Sequence, residues 1–89
     1  AKAGKAKLEL VVDNSGLDLL REEATPHAER IARLAARHEM LAFVACGNAI
    51  ARYRSAGLDV TLLPEAKVAA TAVEHIVDRV QQGWTYVKI

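Results

Sequence analysis

Met40 to Ala45 reads MLAFVA, and Cys46, Gly47 and Asn48 follow without a break. Six apolar residues in a row have the length of a strand. The absence of polar alternation marks a strand covered on both faces, as in a parallel sheet. Ala49 to Ala56 then reads as a helix closed by Gly57. A buried strand running straight into a helix is the unit from which parallel α/β sheets are built.

The same alternation extends in both directions. Upstream, Lys7 to Val12 (KLELVV) is a short, mostly apolar run that stops at Asp13-Asn14-Ser15-Gly16, a strand followed by a turn. Leu17, Leu19 and Leu20 suggest one helical turn after it. Thr25 and Pro26 occupy N-cap and first-turn positions for a helix with Ile31, Leu34 and Ala35 on its apolar face. Downstream, Leu58 to Pro64 reads as loop with a strand fragment, and Lys67 to Ala70 as a short strand.

The last helix carries the most explicit signals. Thr71 and Glu74 have capping-box spacing, and Gly83 supplies the stop. Val73, Ile76, Val77 and Val80 fall at i, i+3, i+4 and i+7, which predicts the buried face. Trp84 to Ile89 (WTYVKI) is rich in β-formers and predicts a closing strand.

Length and composition bound the possibilities. Eighty-nine residues allow one small domain, and 52% apolar content is high for it. Much of that content is Ala, Val, Leu and Ile, enough to leave apolar surface for a partner, so an oligomer is expected. Twelve basic against eleven acidic residues give no electrostatic footprint for nucleic acid. Lys2, Lys5 and Lys7 lie at an N-terminal end, residues 1–6, that reads as flexible. One cysteine without a CxxC or Cys/His spacing suggests neither a disulfide nor zinc, and no cofactor motif is present. No apolar run approaches a membrane span and no leader pattern is seen, so the expected location is the cytoplasm, with no membrane partner.

In a parallel sheet the helices that follow strands begin at the strands' carboxyl edge, where ligands bind. Asp13 and Asn14, then Cys46, Gly47 and Asn48, then Thr71, Glu74 and His75 are therefore expected along one rim. Cys46 is the candidate reactive thiol. Gly47 lets the backbone turn, and a helix start favours the thiolate, which is the nucleophilic form. The alternative is a small buried hydrophobe, the usual state of a free cysteine. His75 can serve as a base or sit on the polar face of its helix. Glu74 is accounted for as a capping partner. His27 and His38 lie too far apart along one helix to share a metal.

Two of these stretches carry a family resemblance. Val44-Ala45-Cys46-Gly47-Asn48 and Gln81-Gln82-Gly83-Trp84-Thr85-Tyr86-Val87-Lys88 resemble the DsrE/DsrF-like family, and Val11-Val12 through Gly16-Leu17-Asp18-Leu19-Leu20 is similar to its pattern after an early strand. The resemblance spans residues 7–89, a single domain. It implies a flavodoxin-like, three-layer parallel sheet, homo-oligomers from dimer to hexamer, and sulfur relay or sulfur oxidation. By position it makes Cys46 the candidate carrier of sulfane sulfur as a persulfide, exchanged with a donor or acceptor protein. A non-catalytic ligand-binding or subunit-interaction module with a structural Cys46 is the alternative.

The chain departs from that pattern in four places. Asp13-Asn14 stands where relatives often carry His-Gly, Ala49 replaces a hydroxyl residue, and Ala72 replaces a glycine before the last helix. The family's opening strand and helix have no counterpart ahead of Lys7. A sheet without that strand is expected to show a gap or an exposed edge unless other residues or subunits complete it.

Overall fold

A computed structural model describes residues 7–88; the flexible end expected for residues 1–6 lies outside them. Three strands, β1 (Leu8–Val12), β2 (Leu41–Cys46) and β3 (Ala66–Ala69), form one parallel sheet in the order β1-β2-β3. β1 is joined to β2 through a 3-10 helix (Asn14–Leu19) and α1 (Ala28–Arg37), β2 to β3 through α2 (Gly47–Ser55), and α3 (Ala72–Gln81) follows β3. The α/β class read from the sequence is the class observed.

The register fixes which side chains share a face. Leu10 is level with Phe43, and Val12 with Ala45. Because strand side chains alternate, Leu10, Val12, Phe43 and Ala45 line one face, and Glu9, Val11, Val44 and Cys46 the other. Val12, Phe43 and Ala45 join Leu17, Leu20, Ile31, Ala49 and Ile50 in the main core. α3 lies against the second face, through its contacts with Glu9 and Cys46. Helices on both faces give the three layers.

Leu17 and Leu20 are completely buried, each worth about 1.5–3 kcal/mol of removal from water. They pin the segment after the 3-10 helix, onto which residues 58–64 are strapped. Leu63 donates its amide to the Leu20 carbonyl (2.9 Å), Glu22 to the Thr61 carbonyl (2.7 Å), and Arg21 and Leu62 form an antiparallel bridge. Arg21 holds the crossing together. Its guanidinium reaches the Asp59 carbonyl at 2.8 Å and Asp18 at 2.9 Å, and lies 5.3 Å from the Tyr53 ring centroid.

Four expectations meet the structure, and three of them are corrected. First, of the gap or exposed edge expected, the edge is what is observed: β1 pairs with β2 directly over five residue pairs, and its outer edge has no ladder partner among the described residues. Second, regular helix begins at Ala28 rather than Pro26: the Thr25 hydroxyl accepts the His27 amide at 3.1 Å, but the first full helical bond runs from Ile31 to His27.

Third, Trp84 to Lys88 is not in a strand; Ile89 lies outside the described residues. β-propensity needs a ladder partner, and this segment turns back after Gly83 (φ 99°) to lie beside α3 instead. Fourth, α3 is rotated from the expected orientation. Val73, Val77 and Val80 are 69%, 48% and 48% exposed, while Ala72 is buried and His75, Ile76 and Arg79 are half-buried. The sheet-facing positions are thus 72, 75, 76 and 79, a stripe with the same i, i+3, i+4, i+7 spacing. The carboxylate of Glu9 on the sheet face draws His75 and Arg79 inward and leaves the valines outside.

Candidate functional site

The carboxyl edge of the sheet brings Asp13, Cys46 and Ala70–Thr71 into adjacent positions, since Val12 is level with Ala45 and Cys46 with Ala69. Cys46 ends β2 and serves as the N-cap residue of α2. Its side chain points to the α3 side of the sheet and is 2% exposed. There Sγ accepts the backbone N–H of Ala72, the first residue of α3, at 3.4 Å. The sulfur therefore stands at the start of α3, while the residue that carries it is also the N-cap of α2, without a side-chain hydrogen bond to that helix.

Gly47 explains how the two helix starts come so close. A Cβ on Gly47 would lie 2.9 Å from the Ala70 carbonyl oxygen and 3.1 Å from that of Ala69. Only a residue without a side chain lets the turn after β3 press against the start of α2. The same contact walls in Cys46. Asn48, one position on, is exposed.

Asp13 and Asn14 remain at the rim but are committed locally. Asp13 Oδ1 accepts the Asn14 amide at 2.8 Å and caps the 3-10 helix, while Asn14 sits in the left-handed region (φ 50°). Arg52 of α2 reaches across, donating to Asn14 Oδ1 at 3.1 Å and lying 3.5 Å from Asp13 Oδ1. Arg52 is the rim residue that sequence reasoning missed. The signal for it was an acidic residue in the turn after β1 and a cation on the helix that follows the neighbouring strand β2.

Thr71 and Glu74 act as a cap and little else. The Thr71 hydroxyl accepts the Glu74 amide at 3.1 Å and donates to Glu74 Oε1 at 3.0 Å. The Glu74 carboxylate thus meets the hydroxyl, not the Thr71 amide of a full capping box.

His75 borders the rim beside Ala70 and Thr71, but its ring is engaged by Glu9. Its Nε2 lies 2.7 Å from Glu9 Oε1, in the interior of the layer between α3 and β1. Arg79 completes the cluster, donating through Nε to Glu9 Oε1 at 3.0 Å and through Nη2 to Oε2 at 3.2 Å. Burial pushes the Glu9 carboxyl up, but the hydrogen bonds and positive charge supplied by Arg79 and His75 outweigh it, leaving the group below its ordinary 4.5. The same pairing raises Arg79. Arg79 also lies 5.2 Å from the Trp84 ring centroid, which ties the C-terminal segment to the cluster. A cavity of about 50 Å³ between them is lined by Val11, Ile76 and Tyr86 among others.

Of the expected site residues, Cys46, Gly47 and Thr71 lie at one junction and Asp13 and Asn14 form a second with Arg52. Glu74 is a cap, and His75 belongs to the Glu9 cluster. Among the described residues no group of three His, Cys, Asp or Glu side chains can hold a metal ion. Nor is any helix there long and apolar enough to cross a membrane.

No protein-family model and no curated protein matches the chain. Among solved structures, the protein of unknown function MTH1491 from Methanobacterium thermoautotrophicum is similar, with 28% identity and a TM-score of 0.77. The match covers 93% of this chain and 70% of that one.

Proposed function

We propose that the chain is a DsrE/DsrF-like sulfur-handling subunit in which Cys46 carries sulfane sulfur as a persulfide. The observation that supports this reading is the placement of Sγ at the start of α3, within 3.4 Å of the Ala72 amide. The Ala72 N–H is a donor that a sulfur atom at this position can accept from. In loading, the Cys46 thiolate attacks the outer sulfur of a donor persulfide. The donor's S–S bond breaks, its inner sulfur leaves as a thiolate, and no net oxidation occurs. Passing the sulfur to an acceptor thiol is the same exchange in reverse.

Self-association belongs to the same proposal. Val73, Val77 and Val80 form an exposed apolar stripe on α3, the kind of surface that further copies of the chain would cover. Light scattering reads the subunit number directly, and a strict monomer at all concentrations refutes this part.

A second reading is favoured by the 2% exposure of Cys46: the thiol is a packing residue and a cap for α3, in a non-catalytic module of the same fold. Intact mass spectrometry after incubation with a small-molecule persulfide donor decides between them. The carrier reading expects a gain of one sulfur atom that is absent in Cys46→Ala. No gain, under conditions where Cys46 is alkylated in the folded protein, supports the packing role.

A further inference from the structure

We infer that α3 is a lid over Cys46, held shut by a latch formed by Glu9, His75 and Arg79. Three observations lead to it. Cys46 is 2% exposed, and part of its cover is the first residue of α3, whose amide it accepts. Hydrophobic burial holds α3 only weakly, since Ala72 is its one buried residue and Val73, Val77 and Val80 face outward. What ties the body of the helix to the sheet is polar: the Glu9 carboxylate of β1 receives His75 at 2.7 Å and Arg79 at 3.0 and 3.2 Å.

Ala72 and Cys46 sit at the margin of the core cluster, and Val44 is buried on their face of the sheet. The larger side chains of that cluster, Leu17, Leu20, Ile31, Phe43 and Ile50, are contributed by other elements than α3. An element that buries little apolar surface opens at a lower free energy than the core it rests on. Releasing the latch therefore lets α3 lift while the sheet and its other layer stay folded. Lifting removes the Ala72 amide from Sγ and exposes the thiol to a reagent, a donor or an acceptor. The lid bears on the carrier reading, but its test measures access to the thiol and not sulfur transfer. The two ideas can therefore fail separately.

The test is the rate at which a small alkylating reagent labels Cys46 in the full chain, as a function of urea. Glu9→Gln keeps the shape of the side chain and removes its charge. It is expected to raise the urea-independent rate about tenfold, the factor by which loss of one charge-assisted hydrogen bond changes an opening equilibrium. Leu17→Ala, in the opposite layer, destabilises the whole domain and is expected to leave that rate unchanged. The proposal is overturned if Glu9→Gln labels at the wild-type rate, or if both variants speed labelling in proportion to their loss of global stability. Hydrogen exchange on the wild type gives a check that needs no variant to fold. Amides of His75 to Gln81 are expected to exchange through an opening smaller than that of Phe43 and Ala45. Exchange of both sets only by global unfolding refutes the lid.

Discussion

Gly47→Ala is the sharpest probe of how the candidate site is assembled. The added methyl would sit 2.9 Å from the Ala70 oxygen and 3.1 Å from the Ala69 oxygen. Both are backbone atoms, so relief requires the turn between β3 and α3 to move. Overpacking of this kind costs about 1–3 kcal/mol. Against it stands the entropy that alanine removes from the unfolded chain, which returns about 0.4–1 kcal/mol where the backbone conformation suits both residues. Gly47 has no positive φ, so that gain applies, and the steric cost still exceeds it. The net loss is about 1–2 kcal/mol, or a fall of roughly 5–15 °C in melting temperature for a domain of this size. Gly16→Ala is the control. Its Cβ would meet only Val12 Cβ, at an ordinary 3.8 Å, so it should melt at or slightly above the wild-type temperature. Thermal melts followed by circular dichroism measure both. If Gly47→Ala melts at or above wild type, β3 and α2 do not approach as described, and the junction around Cys46 is wrong with them.

Other perturbations test separate links. The Glu9 carboxyl titrates below its ordinary 4.5 in the folded state, so its contribution is complete above that value and is lost as pH falls through the folded value. The melting temperature of wild type should therefore drop below about pH 5 more steeply than that of Glu9→Gln, and equal slopes refute the latch's electrostatics. Arg21→Ala removes partners from the Asp59 carbonyl, Asp18 and the Tyr53 ring. A loss of about 1–3 kcal/mol in urea unfolding is expected. Val77→Asp, at an exposed position of α3, should change the melt of the monomer within about 0.5 kcal/mol, while light scattering reports any loss of association.

The sequence disclosed those parts of the structure whose physics is local. β2 was legible because six apolar residues in a row have few other places to go, and its observed bounds, Leu41–Cys46, differ from the expected run by one residue. The start of α3 was legible because a threonine hydroxyl satisfies the Glu74 amide whatever the rest of the fold does. The orientation of α3 was not, and the reason lies 66 residues away. Periodicity arguments assume that the most apolar stripe of a helix faces inward, which holds when the surface it meets is apolar. Here that surface carries Glu9, and a carboxylate on a sheet face needs cations or donors above it, which His75 and Arg79 provide four residues apart. The clue was present in KLELVV, where one acidic residue interrupts an apolar strand. The closing segment misled for a related reason: Trp84 to Lys88 has the composition of a strand, but a strand exists only with a neighbour, and propensity carries no information about neighbours. Cys46 lies between these cases. Its position at the strand end was legible, whereas its burial depends on the turn after β3 closing against Gly47 and on Ala72 meeting the sulfur, contacts between parts of the chain more than 20 residues apart. The cover on the thiol is therefore set less by Cys46 itself than by α3, whose first residue meets the sulfur and whose His75 and Arg79 meet Glu9 of β1.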